Sequence, residues 1–411
     1  MVHSNQSRAL FRFTVLVSLA TLGLVCIGGL VTSKGVGMSV PDWPTSFGYN
    51  MFALPVSTWM TGGIFDEHTH RLWASTVGLL VVFLTRWIGG VEARKTLAII
   101  GLAEFGMGLT LVTNAGIRWK GEGHFLMGIG SVVLLAAACP WKSLPTSKIA
   151  IRLSWLAFWL VQAQGSLGGL RVVLDQWSVA GTTGGVLFGI IHGCLGQLFF
   201  ALVSALAIHL SSVWKPTSWH PVIPFSITLP ALSLSLVFGQ LLLGLLMRHQ
   251  HAGLAVHDLP LAYGQVWPDL APEDLARYSR QRDEIEPVTA FQIRIHVLHR
   301  INAITASLAV LTLFLKTRLL PKGHLLRRLS QIWLALVGVQ FVLGVLTVYW
   351  NKPADIATAH VAVGTLSLAT GLISFWVASL TCSNRCSSVS SFQKSSNRVT
   401  PTSVGHPHPV T

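Results

Sequence analysis

Charged residues make up only 11% of the 411-residue chain, less than half of the roughly 25% in an average soluble domain, and this scarcity argues against a soluble globular fold. Cysteine is also sparse: Cys26, Cys139, Cys194, Cys382 and Cys386 form no CxxC and no paired framework, so neither a disulfide scaffold nor a zinc site is expected. Acidic residues are few, 15 Asp and Glu against 29 Lys and Arg, for a formal charge of +14. In a soluble protein that excess would suggest nucleic acid. Here the basic residues fall in short gaps between apolar runs, where they orient a chain in a membrane, and no nucleic-acid partner is expected.

What the sequence has in quantity is hydrophobic residues, 51% of the total. A spanning helix needs about 20 mostly apolar residues, and ten runs come near that length: 11–31, 68–86, 96–114, 124–140, 153–171, 184–210, 225–247, 293–315, 329–349 and 356–380. The first run is too long for a signal-peptide core and no A-x-A site follows it, so it is expected to be an uncleaved span. Threading the runs alternately collects basic residues on one side, among them Arg8, Arg86, Lys142, Lys215, Arg328 and Arg398. The other side collects acidic residues such as Asp42, Glu67, Asp258, Asp283, Glu284 and Glu286. The basic side is expected to be the cytoplasm, with both termini cytoplasmic and the chain a multi-pass protein of the inner (cytoplasmic) membrane. Residues 381–411, Ser-rich with scattered Pro and His, are expected to form a disordered cytoplasmic tail.

Two outer segments match each other in register: Gly37-x-x-Val40-x-Asp42-x-Pro44-x-x-x-Gly48 and Gly253-x-x-Val256-x-Asp258-x-Pro260-x-x-x-Gly264. Each precedes an inward run that opens with a His-Arg pair, His70-Arg71 and His299-Arg300. The chain is thus read as a tandem duplication, a known membrane architecture. A second pattern recurs on outward helices as Gln164-x-x-Leu167-Gly168, Gln240-x-x-Leu243-Gly244 and Gln340-x-x-Leu343-Gly344, whose small residues are expected to let helix backbones approach closely. The first and third copies are followed by helices carrying His192 and His360. The expected fold is an all-α integral membrane protein of about ten transmembrane helices: two pseudo-repeated four-helix bundles, 1–210 and 211–380, plus an extra helical hairpin at 96–147. That hairpin carries Glu104 and His124 at the spacing of Gln340 and His360.

His70, His124, His192, His299 and His360 each lie within about two turns of the outer end of an inward-running helix. Intramembrane ionisable residues are functional candidates, and imidazole pairs facing each other across a bundle suit axial ligation of haem iron. His68, His249, His251, His257 and His296 are expected to face solvent or the membrane interface. Arg71 and Arg300 directly follow candidate ligands, where a guanidinium either pairs with a haem propionate or snorkels to the interface; Arg171 has the same two readings. Trp43, Trp59 and Trp73 are read as aromatic-belt residues. Glu67, one turn before His70, either accepts a proton beside the haem edge or simply starts a helix favourably; His296 stands at its place in the second half.

In their order these motifs resemble the haem A synthase family: a glycine-rich end of the first run, Gly-x-x-x-Pro-Asp-Trp-Pro, Glu67-x-x-His70-Arg71, two Gln-x-x-Leu-Gly helices each followed by a one-histidine helix, and a second His-Arg helix. The likeness covers residues 11–380 except 96–147. It implies an enzyme that oxidises the C8 methyl of haem O to the formyl group of haem A for terminal oxidases, with haem b as cofactor. By that resemblance His70 and His192 would ligate the substrate haem, with Glu67 as the catalytic carboxylate, and His299 and His360 would ligate the iron of haem b. Its partners would be haem O and the haem O synthase that supplies it, membrane lipids and an electron-transfer protein. The chain departs from the family twice. It lacks the cysteine pair that many members carry in the first outer loop, and its hairpin turns eight spans into ten, so that His124 competes with His192 as partner of His70; the match of the Gln164 motif favours His192. An unactivated methyl C–H needs an oxidant stronger than any side chain, so iron must carry the chemistry. Two competing classes use some of the same features: a non-catalytic dihaem b-type cytochrome passing electrons from quinol, with the same four histidines, and a transporter on parallel repeats, which would break helices at the midplane.

Overall fold

The structure is a computed structural model that describes residues 5–114, 120–141, 144–179, 182–214, 226–281 and 287–396. Lys142, Lys215, Asp283, Glu284, Glu286 and Arg398, counted above toward the charge asymmetry, lie outside the described residues. The chain forms α1 (Asn5–Ser33), a short α2 (Val56–Trp59), α3 (Gly62–Asn114), α4 (Lys120–Ala138), α5 (Lys148–Val173), α6 (Gly184–Leu210), α7 (Thr228–His249), α8 (Pro272–Arg280), α9 (Ala290–Thr317), α10 (Leu325–Tyr349) and α11 (Ala354–Ser396). Two two-stranded hairpins, Thr45–Ser46 with Tyr49–Asn50 and Ser178–Val179 with Thr182–Thr183, sit in the loops.

Eight helices among the described residues are long and apolar enough to cross a membrane. One of them, α3, carries two of the expected runs. Its 53 residues would reach about 80 Å as one rod, far more than the roughly 30 Å of a hydrocarbon core. Gly90, at φ 58° and ψ −136°, breaks it into two arms. Arg86 secures the break by donating to the carbonyls of Gly90 (3.1 Å) and Cys139 (2.8 Å), while the Thr146 hydroxyl donates to Ile88 (2.9 Å). The expected run at 153–171 lies on α5, which carries Lys148, Arg152 and Arg171 and is not among the eight. At the other end of the chain α11 continues as helix to Ser396, so the tail expected to be disordered from 381 begins as an extension of the last helix.

The second arm of α3 packs against α4 with almost no side chain between them. A Cβ on Gly108 would stand 2.5 Å from the Gly123 carbonyl oxygen, and one on Gly130 would stand 2.7 Å from that of Gly101. In lipid, where apolar burial gives no net drive between helices, contact of this closeness supplies the association. The first half is filled by Val77, Val81, Leu84, Leu97, Val133 and Phe158, and the second by Val237, Val310, Leu313 and Trp333. Phe200 and Ala201 of α6 meet Leu368 and Ala369 of α11 where the halves join.

The repeat survives to the level of single hydrogen bonds. In the first loop Asp42 accepts from the N–H groups of Phe47 (2.7 Å) and Gly48 (2.8 Å); in the second, Asp258 accepts from those of Tyr263 (2.8 Å) and Gly264 (2.9 Å). Phe47 and Gly48, like Tyr263 and Gly264, have positive φ, and both loops carry a cis X-Pro bond. Burial acts to raise the Asp42 carboxyl, but hydrogen bonds from Gly48, Thr45 and Phe47 outweigh it and hold the group below its ordinary range. Each loop is clasped by the arginine after the first histidine of its half. Arg71 donates to the carbonyls of Val40, Asp42 and Thr45, and Arg300 to those of Val256, Asp258 and Leu261. The fork of a guanidinium suits three divergent carbonyls and the point charge of an ammonium does not. Arg300→Lys is therefore expected to destabilise the loop by about 2 kcal/mol, read as faster proteolysis within 251–289 while haem binding by the bundle persists.

Candidate functional site

The Gln-x-x-Leu-Gly motif is a seat for a histidine. Gln and Gly four residues apart share one face of a helix. Gln164 donates through Nε2 to the backbone carbonyl of His192 at 3.0 Å, and Gln240 does the same to His299 at 3.0 Å. The glycine one turn on leaves room for the ring: a Cβ would stand 3.4 Å from His192 Cε1 at Gly168, 3.3 Å from His299 Cε1 at Gly244 and 3.3 Å from His360 Cε1 at Gly344. Gly28 of α1 gives His70 the same space, with 2.9 Å to Cε1. The motif glycines thus admit imidazoles rather than the close helix backbones that sequence reading assigned to them.

His70 and His192 face each other with ring centroids 6.5 Å apart and planes at 81°. Two metal–imidazole bonds of about 2 Å each, with half a ring beyond each nitrogen, span about 6 Å, so the pair fits axial ligation of one iron. Both line a cavity of about 1020 Å³ in the first half of the chain. The Nδ1 atoms of His70, His192, His299 and His360 are buried without a hydrogen-bond partner, with the Gln164 backbone beside the His192 ring and the Gln340 backbone beside that of His360. In the second half His299 and His360 lie close enough to interact electrostatically. His124 lines the first cavity from α4 but is exposed and is not the ring opposite His70.

Glu67 is 4% exposed and fully engaged. Arg71 donates to one carboxylate oxygen at 2.7 Å and the Val40 N–H to the other at 2.9 Å. His296 takes its place in the second half, with Nδ1 3.0 Å from the Ala252 carbonyl. His68, likewise, is 1% exposed and lies 3.2 Å from the Ser46 hydroxyl. Both histidines were expected at a solvated surface; they are buried because each braces its outer loop from below. Neither Arg71 nor Arg300 snorkels: the loop carbonyls occupy their donors.

Three more side chains line the first cavity: Trp43, expected in the aromatic belt, His249, expected at solvent or the membrane interface, and Arg248, which the sequence did not single out. Trp43 packs against Phe125 at 5.4 Å between centroids, and a Cβ on Gly169 would collide with its ring, so it belongs to the cavity wall and not to an interfacial belt. Arg248 and His249 come from α7, in the other half of the chain, and reach the cavity across the junction. Arg248 donates to the Gly29 carbonyl and, at 2.6 Å, to the Ser33 hydroxyl. Their signal was present, a basic pair ending an outward helix, but nothing in one sequence tells which half such a pair faces. Arg171 lines the same cavity and makes no hydrogen bond to the described residues. Among the charged residues of the wall, Arg71, Lys120, Arg171 and Arg248 oppose Glu67 and Glu122. Four against two leaves a net +2, complementary to an anionic ligand.

Comparison with known proteins bears on what this geometry serves. Over 390 residues the chain is 25% identical to the haem A synthase of Caulobacter sp., covering 91% of this chain and 97% of the relative. It is 29% identical over 258 residues to that of Shewanella oneidensis, 59% of this chain and 70% of the relative. With the mouse haem A synthase COX15 it shares 24% identity over 406 residues, 89% of this chain and 81% of that one. The family profile described as cytochrome oxidase assembly protein, COX15-CtaA, matches residues 101–372. That match starts inside the hairpin that the repeat leaves out and takes in His192, His299 and His360. The chain belongs to the COX15-CtaA family of cytochrome oxidase assembly proteins.

Proposed function

We propose that this chain is a haem A synthase: a multi-pass membrane enzyme that oxidises the C8 methyl of haem O to the formyl group of haem A. The observation that carries the reading is the facing pair His70 and His192, 6.5 Å apart, in a cavity large enough for a porphyrin. In the second half the glycine-seated pair His299 and His360 would hold haem b, whose iron, when bound, supplies redox chemistry that no side chain can. The residues of the chain do the positioning. His70 and His192 take the substrate between them, and the +2 wall, Arg171 and Arg248 foremost, receives its two propionates by charge-assisted hydrogen bonds. Glu67, which lines the cavity beside Arg71, is the proton acceptor in this reading. The halves differ there, Glu67 against His296, which gives them different chemistry on one scaffold. The histidine end faces away from the cytoplasm across the inner membrane; haem O arrives from its synthase, and an electron-transfer partner takes up the electrons.

Pigment extracted from the purified protein and identified by mass tests the proposal. Haem B together with haem O or haem A is the expected result. Haem B alone would mean a dihaem electron carrier, and no haem would refute both.

A further inference from the structure

The first cavity continues well past its histidines. From His70 to Val82 on the same arm of α3 is roughly 18 Å of helix rise, and both ends line the cavity. At the histidine end the wall is cationic; deeper it is mostly apolar, with Val82, Val132, Val161 and three glycines, Gly78 of α3, Gly128 of α4 and Gly165 of α5, beside the uncharged Gln162 and Gln197. At each of these glycines a Cβ would meet no atom within 4 Å. Their absent side chains therefore serve no helix contact and leave a slot open. One wall of it, Gly128 and Val132, belongs to the hairpin that has no counterpart in the second half of the repeat.

We propose that this hairpin forms the binding slot for the isoprenoid tail of the substrate haem. The inference rests on haem O as substrate. Haem O carries a long isoprenoid chain that haem B lacks, and an apolar slot leading away from a cationic rim matches a ligand with propionates at one edge and a hydrocarbon tail at another. The hairpin thereby assigns the two haems to their halves: the tail-bearing one enters the half that has the slot, and the tailless one fits the half without it.

Purified protein with its second pair already carrying haem B is titrated with haem O and, separately, with haem B, following the Soret difference spectrum. Wild type is expected to favour haem O by at least about tenfold, the ratio that burying two methylenes commands. Gly128→Phe, and independently Gly165→Leu, fills the slot and should bring the ratio close to one while haem B binding is retained, which also shows that the variant is folded. Gly106→Leu, at an open glycine outside the cavity wall, should keep the wild-type ratio. Retained preference for haem O in both slot variants overturns the slot and leaves the synthase reading intact. Failure of the wild type to bind haem O overturns both.

Discussion

His299→Ala and His360→Ala are each expected to abolish the low-spin haem b spectrum of the purified protein. Each imidazole is seated by a glycine of the helix beside it, Gly244 for His299 and Gly344 for His360, where a Cβ would stand only 3.3 Å from the ring, and His299 is further held through its carbonyl by Gln240. Removal of one ring would leave the iron five-coordinate or the site empty. The reduced α-band measured at matched protein level reads the outcome directly. If both variants kept it, haem b would have to be held elsewhere. Gly344→Ala should act in the same direction more weakly, by displacing the ring without removing it.

Glu67→Gln is expected to lower haem A formation by roughly 10²–10⁴-fold, the range of a lost acid–base group, while haem b content stays at the wild-type level. The ion pair adds a second consequence. With side chains 10% and 6% exposed, Arg71 and Glu67 form a pair hidden from water, and weakening a buried pair can cost as much as about 3 kcal/mol. The amide has one acceptor oxygen where the carboxylate offers two, so it keeps Arg71 or the Val40 N–H but not both; Arg71 still holds its three loop carbonyls, so the loop should remain docked. Arg71→Lys separates the two contributions, since it loosens the same loop and keeps the carboxylate. A proton acceptor predicts that Glu67→Gln is far slower than Arg71→Lys in co-expression with a haem O source, scored by the haem A to haem O ratio. Equal losses would make Glu67 a brace for the loop, and a wild-type ratio would remove it from the mechanism.

The pattern of apolar runs made the helices readable, because a bilayer leaves a backbone few alternatives. The duplicated loops were readable too: Asp42 and Asp258 hold backbone N–H groups at fixed offsets, and such spacing is local. Choosing between His124 and His192 was harder, since both precede a long apolar stretch. The geometry favours His192: Gly168 and Gln164 of α5 seat it opposite His70, while α4 carries His124 on the cavity wall. Contacts across the junction could not be read at all. Whether Arg248 faces lipid, its own half or the other depends on how α7 packs, and that is a property of the whole bundle. The contacts of Arg71 were out of reach for a related reason. Its position after a candidate ligand histidine left a propionate or the interface open, whereas its partners are Glu67 one turn back and carbonyls far upstream, visible only once the loop has folded back over the helix.

The reach of Arg248 into the opposite half has a bearing on how this duplication can be rearranged. Gly28 and Gly244 seat equivalent histidines, and counting on from them puts Thr32 and Ser33 where the second half has Arg248 and His249. Two identical halves related by a twofold axis must present the same patch to each other. A pair of first halves would then bring two hydroxyls to the junction and a pair of second halves two guanidinium groups. Neither pairing places one guanidinium on a carbonyl and hydroxyl acceptor, as Arg248 sits on Gly29 and Ser33. The chain is in effect a heterodimer joined end to end, and its halves have ceased to be interchangeable parts.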